Sequence, residues 1–202
     1  EDNHINITGI TVTQEDNLII GMNCSGKIYA KKLNSENQYE NIYTNEKNGM
    51  CTNVMEMTPD GAFFKNIYDL RGQTPRNSKY SAVNIVDIKT THDNKIIIGG
   101  YYYTNRPIDV NKDGIIDKKI DFQAGAEMAR GFFMKITLDG EVEFADYPYR
   151  LDRDVPVPGY VTSISEINEE KIVVTGAYKW TSFTTRNFAI KYLENDKIAV
   201  TN

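Results

Sequence analysis

A chain of 202 residues, 40% hydrophobic and 25% charged, is long enough for one large or two small domains with their own core. Its formal net charge of -5 leaves no basic stripe to neutralise phosphates, which argues against a nucleic-acid surface. No apolar run is long enough to cross a bilayer as a helix, so membrane insertion is not expected.

Short runs rich in β-branched and aromatic residues lie between Asn, Asp and Gly clusters, the pattern of strands and turns. Ile10–Thr13 and Leu18–Ile20 flank the polar Gln14–Asn17 and predict a hairpin. Met55–Phe64 carries Asp60-Gly61, a pair that tolerates positive φ, and predicts a second one. Further along, Lys95–Ile98, Phe132–Ile136, Lys171–Val174 and Phe188–Tyr192 read as strands. No window holds a convincing helical period; the nearest, Asp121–Arg130, is short and interrupted by Gly125.

The strands repeat. Ile10–Gly21 recurs as Ile88–Gly99 and again as Ile164–Thr175, each a strand, a polar turn and an apolar strand. Met55–Phe64 recurs as Met134–Glu143 and Ile190–Ala199. Each repeat therefore reads as four antiparallel strands, A to D, and the repeats cover about 8–70, 82–148 and 160–202. Long insertions separate strands B and C in the first two. An alternative count gives Lys27–Tyr43 its own hairpin, for nearer four units. Val155-Pro156-Val157-Pro158-Gly159 is a stiff connector between the second and third repeats that cannot pair fully in a sheet.

Four-stranded antiparallel units at periods of about 40 residues or more are what a β-propeller uses. The fold class expected is all-β, propeller-like, with about three blades in a partial or open ring; a β-sandwich is the alternative. The 1–202 span reads as a single β-repeat domain. The chain begins at Glu1 and not Met, and the expectation is a processed or excised piece of a longer protein. The run from Ile96-Ile97-Ile98-Gly99-Gly100 to Phe132-Phe133-Met134-Lys135-Ile136-Thr137-Leu138-Asp139-Gly140-Glu141-Val142 resembles the repeats of bacterial secreted β-propellers of the SBBP type. That resemblance implies a secreted or cell-surface module that binds a protein or glycan, or pairs with further repeats of its kind. A composition rich in Asn, Lys, Ile and Tyr agrees with a bacterial source.

The run Asp109-Val110-Asn111-Lys112-Asp113-Gly114-Ile115-Ile116-Asp117 places an oxygen ligand at every second position, then a glycine for a sharp turn. A hard cation wants six to eight oxygens, and this spacing wraps them round one Ca²⁺. Asp109, Asn111, Asp113 and Asp117 would ligate through side chains, and Ile115 through its backbone carbonyl. The twelfth position is Ile120, not Glu, so this is not an EF-hand. The Asp-x-Asn-x-Asp-Gly-x-x-Asp pattern resembles the calcium loops of integrin α-subunit propellers, and those of dockerin and thrombospondin type 3 repeats. The resemblance implies a structural Ca²⁺ in a blade hairpin. Without an ion, the same run is an acidic surface turn.

Three other groups stand out. Tyr101, Tyr102 and Tyr103 follow strand B of the second repeat, and Tyr178 and Trp180 that of the third. They could share a ligand platform, since sugars and proteins stack on such rings, or serve only as packing. Cys24 ends strand B and Cys51 begins strand C of the first repeat, close enough in such a pairing to form a disulfide or to remain two small buried groups. His4 falls near a frayed end and His92 in a polar turn, and no nucleophile elbow or paired metal-ligand histidines are present. The expectation is a non-enzymatic binding or structural module outside the cell. The alternative is part of the propeller domain of a carbohydrate-active enzyme.

Overall fold

The computed structural model describes residues 4–25, 28–33, 35–36, 38–45, 50–61, 63–70, 83–102, 130–146, 149–150, 155–156, 159–168, 171–181, 184–193 and 196–201. Every regular element among them is a strand. In chain order these are β1 (His4–Val12), β2 (Leu18–Ser25), β3 (Ile28–Leu33), β4 (Tyr39–Asn45), β5 (Met50–Met57) and β6 (Phe64–Leu70). Then come β7 (Val83–Thr90), β8 (Ile96–Tyr102), β9 (Arg130–Ile136), β10 (Val142–Asp146), β11 (Tyr149–Arg150) and β12 (Val155–Pro156). The last four are β13 (Gly159–Asn168), β14 (Lys171–Thr181), β15 (Thr184–Leu193) and β16 (Asp196–Thr201).

They form three four-stranded antiparallel sheets, ordered β1-β2-β5-β6, β7-β8-β9-β10 and β13-β14-β15-β16. Each sheet is one sequence repeat, strands A to D in order. The β3–β4 hairpin is a separate two-stranded sheet inserted between strands B and C of the first repeat, so it does not make a fourth unit. Val155 and Pro156 of the proline-rich connector pair with Arg150 and Tyr149 in a two-residue ladder. The Asp121–Arg130 segment lies outside the described residues except for Arg130, which starts β9.

The local chemistry repeats with the strands. Four hairpin turns start with threonine: Thr13, Thr58, Thr91 and Thr137. In each, the threonine carbonyl accepts from the residue three further on, and that residue has positive φ: Asp16, Gly61, Asn94 and Gly140. The threonine hydroxyl accepts a second N–H, from Asn17, Phe63, Lys95 and Glu141 respectively. This is a type I turn closed by one left-handed residue, which is why Asp, Asn and Gly recur there.

Strand A of every sheet shares an irregularity in its pairing with strand B, and β13 has a second between Glu166 and Asn168. The register shifts between Ile7 and Gly9, between Ile85 and Asp87, and between Val161 and Ser163. Thr8, Val86 and Thr162 are the extra residues, and they occupy the same place in the repeat.

The sheets stack face to face. The first and second enclose Ile19, Val54, Tyr68, Ile85, Ile88, Ile96, Ile98, Phe132, Met134 and Ile136, all buried. The second and third enclose Ile97, Phe133, Val161, Ile164, Ile172 and Val174. The strand patterns explain this: Ile96-Ile97-Ile98 is apolar at consecutive positions because β8 is covered on both faces. Glycine sets the close approach of neighbouring sheets. A Cβ on Gly99 would lie 2.6 Å from Val161 Cγ1, and one on Gly21 3.3 Å from Ile88 Cγ2.

Candidate functional site

Polar contacts fix how the strands of neighbouring sheets run. Thr90 N–H donates to Thr11 Oγ1 at 3.1 Å, and Gln14 N–H to Asn94 Oδ1 at 3.0 Å, so β1 and β7 run in the same direction. Asn23 on β2 brackets Ile85: its Nδ2 donates to Ile85 O and its Oδ1 accepts from Ile85 N–H, both at 2.9 Å. Between the second and third sheets, Asp87 Oδ2 accepts from Ile164 N–H at 3.0 Å and from the Ser163 hydroxyl at 2.8 Å. His92 N–H donates to Glu166 Oε2 at 2.7 Å, and the His92 ring nitrogen Nδ1 lies 2.6 Å from the same oxygen.

Parallel stacking gives the molecule two distinct ends. One gathers the A–B and C–D turns. At the other, strand B ends and strand C begins in each sheet, at Ser25 and Met50, Tyr102 and Arg130, and Thr181 and Thr184. The candidate residues on the described strands all come to this second end. Tyr101 and Tyr102 close β8, Tyr178 and Trp180 lie near the end of β14, and Cys24 and Cys51 stand where β2 ends and β5 begins. The calcium-type run Asp109–Asp117 and Tyr103 lie outside the described residues. Their connection leaves the sheet at Tyr102 and returns at Arg130, which are register partners, so both its roots are held at one point of that end.

The Tyr101 ring is half-buried and meets Tyr160 edge-on, with centroids 6.2 Å apart and planes at 64°. Tyr160 is 42% exposed. It belongs to β13, so the pair bridges the second and third sheets. Tyr160 is absent from the aromatic set read from the sequence, because that set followed strand B alone. The signal was the repeat offset, which places Tyr160 on strand A, opposite Ala177 on β14. The side chains of Tyr102, Tyr178 and Trp180 are outside the described residues.

Cys24 is buried and disulfide-bonded. The chain has two cysteines, and the other, Cys51, is the register partner of Cys24 across β2 and β5. The cross-link therefore sits at the root of the first B–C insertion, ahead of the β3–β4 hairpin.

The opposite end is electrostatically dense. Asp93 accepts from the Thr91 hydroxyl and faces Lys95 and Lys135 at 3.1 and 3.0 Å, and Lys95 also pairs with Glu143. Burial by itself would raise the Asp93 carboxyl. The Thr91 hydroxyl and the Lys135 and Lys95 ammonium groups reverse that and hold it far below the usual carboxylate range. Asp87 behaves alike: burial acts upward, but the Ile164 N–H, the Ser163 hydroxyl and Lys89 bring it down. Lys95 is raised, by its hydrogen bonds to Glu143 and Asp93. These groups stitch turns and sheets together. Among the described residues, no group of three or more His, Cys, Asp or Glu side chains is arranged to hold a metal ion. His92, at the turn end, is a tether between the second and third sheets.

No protein-family model matches this chain, and no curated protein matches it.

Proposed function

We propose that this chain is a propeller-like, calcium-stabilised module of a bacterial cell surface or secreted protein, and that its B–C end is the face that binds a protein or glycan. The observation that carries this reading is the asymmetry of the two ends. At the turn end the first two sheets repeat the same threonine-capped hairpins, and ion pairs lock them. The B–C end varies from a two-residue connection to one of more than twenty residues. Loops of varied length on a rigid scaffold are where recognition is built. The Asp109–Asp117 run lies in sequence between the two roots Tyr102 and Arg130, and the exposed Tyr160 stands at that end.

In this reading Asp109, Asn111, Asp113 and Asp117, with the Ile115 carbonyl, hold one Ca²⁺. The ion supplies charge neutralisation and a fixed loop shape. Ordering the loop in advance lowers the entropy lost when a partner docks. Tyr101 and Tyr160 offer ring faces and edges beside it.

The test is a thermal melt of one sample in calcium and in chelator, with Asp113→Ala as control. Extracellular modules bind with Kd of roughly 10⁻⁴–10⁻³ M. At about 5 mM Ca²⁺ mass action then stabilises the folded chain by about 1–2 kcal/mol. In a chain of this size that is a rise in Tm of about 2–8 °C. Asp113→Ala should abolish the rise. An unchanged midpoint in wild type, together with equal proteolysis of the 105–121 region in both buffers, would refute the calcium assignment.

A further inference from the structure

Strand A of the second and third sheets inserts two apolar side chains into the sheet before it. Ile85 and Ile88 of β7 are 2% and 0% exposed, and both lie within 3.4 Å of where a Cβ on Gly21 would stand. Val161 and Ile164 of β13 are 0% and 1% exposed and abut Gly99 in the same way. The shared register shift makes the pairs equivalent, and the corresponding residues of β1 are Ile7 and Ile10. These are each 55% exposed, and Ile5 and Val12 extend the row at 49% and 47%. Beside the row, Ile20, Met22 and Met55 form a buried cluster on the same sheet.

We propose that Ile5, Ile7, Ile10 and Val12 are the inserting side of a third joint of this kind, and that its occupant is one further four-stranded sheet of the same repeat, bearing glycine at the position of Gly21 and Gly99. The inference rests on the propeller-like reading and is independent of calcium. Four contiguous large apolar side chains are more than isolated surface hydrophobes require. In both joints within this chain the residues equivalent to Ile7 and Ile10 are covered by a preceding sheet. The glycine requirement identifies the occupant. Gly21 and Gly99 are already filled, by Ile88 and Val161. The third sheet carries Thr175 at that position, where even a bare Cβ would crowd the inserting side chain. A second copy of this chain docking head to tail is therefore disfavoured, and a distinct repeat is required.

The experiment compares the full chain with a version extended at its N-terminus by a second copy of residues 83–158, which supplies a sheet and its connector. Each carries Ile10→Cys, and maleimide labelling of that thiol is timed. The extended chain should label at least about tenfold more slowly, since reaction then requires opening of the joint. Gly99→Ile in the added copy should restore fast labelling. Equal rates in parent and extended chains would overturn the proposal. So would a parent chain that is dimeric by light scattering at tens of micromolar and returned to monomer by Ile10→Asp, which would make a second copy the occupant. A separate measurement needs no extension. In the parent chain, Ile7→Asp and Ile10→Asp together should shift Tm by no more than about 2 °C and weaken binding of a hydrophobic dye, whereas Ile85→Asp with Ile88→Asp should unfold it. Equal destabilisation by the two pairs would show that the β1 row is already part of the core. The calcium melt reports separately on the binding-face reading.

Discussion

Gly99 offers the sharpest test of how the sheets are packed. A methyl at this position meets Val161 Cγ1 at 2.6 Å and Ile164 Cβ at 3.5 Å, and both neighbours are fully buried. The backbone of Gly99 lies in the middle of β8, paired on one side with Asp87 and on the other with Phe133, so the strand is poorly placed to retreat. Overpacking of this kind costs about 1–3 kcal/mol. Loss of glycine's freedom in the unfolded chain offsets about 0.4–1 kcal/mol of that. The net expectation for Gly99→Ala is a destabilisation of about 0.5–2 kcal/mol, or a fall in Tm of about 1–8 °C. Gly21→Ala is the internal control. Its Cβ would be 3.3 Å from Ile88 Cγ2, a tight contact but a longer one than the 2.6 Å at Gly99, so its cost should be the smaller of the two. Urea unfolding of both variants, and of Val161→Ala alone and with Gly99→Ala, completes a double-mutant cycle. The added methyl partly fills the space vacated by Val161, so the double variant should be more stable than the sum by at least about 0.5 kcal/mol. Strict additivity, with Gly99→Ala no worse than Gly21→Ala, would refute glycine as the spacer between sheets.

The remaining predictions concern the polar joints and the cross-link. Asn23→Ala should cost about 1–3 kcal/mol in urea unfolding, because Ile85 loses partners for both its N–H and its carbonyl in a half-buried joint; a smaller loss than at an exposed control position would mean water replaces the amide. Asp93 and Asp87 both have carboxyls held below their ordinary value, so their contribution is present above the unfolded carboxylate range near pH 4 and lost as pH falls through the lower native values. Tm should therefore decline below about pH 4, and Asp93→Asn should flatten that decline; an unchanged profile would count against the ion cluster as its source. Reduction of the disulfide at Cys24 should lower stability by about 3–4 kcal/mol on loop-closure arithmetic for the 24–51 span, read as a drop in Tm with reductant that Cys24→Ser with Cys51→Ser reproduces.

The hairpins and their repetition were legible in the sequence because turn chemistry is local. Asp16, Gly61, Asn94 and Gly140 are the residues that tolerate positive φ, and they stand where the polar clusters predicted turns. Strand order followed, since each unit is a meander of neighbouring strands. The joints between sheets were not legible. A register shift at Thr8, Val86 or Thr162 has no residue signature, as all three are β-branched residues that fill regular strand positions equally well. Nor does the sequence give Asn23 the backbone of Ile85, or Asp87 the Ile164 N–H, because those atoms lie on strands more than sixty residues away. Of the candidate site, the positions of Tyr101, Tyr178, Trp180, Cys24 and Cys51 at one end follow from strand order alone. The pairing of Tyr101 with Tyr160 depends on the angle at which two sheets meet, which composition and spacing do not encode.

The two ends also differ in what sequence change they can absorb, and this bears on where function can evolve. At the turn end, Gln14 and Glu15 of the first repeat bond to His92 and Asn94 of the second, while His92 bonds onward to Glu166 of the third. Lys65 of the first sheet reaches the Leu138 carbonyl and Asp139 in a turn of the second. A residue inserted in any of these turns would break contacts to a neighbouring sheet as well as its own hairpin. A B–C insertion is different. Its roots are register partners, Ser25 with Met50 and Tyr102 with Arg130, so the added chain begins and ends on adjacent strands and leaves the sheet ladder intact. Loop-closure entropy rises only slowly with length, by about 0.6 kcal/mol per doubling. The scaffold thus accommodates B–C connections of very different length, with a hairpin in the first repeat and two residues in the third, on roots that stand at the same end of each sheet. The turns of the first two repeats keep one form for the converse reason: their residues are tied to the neighbouring sheet.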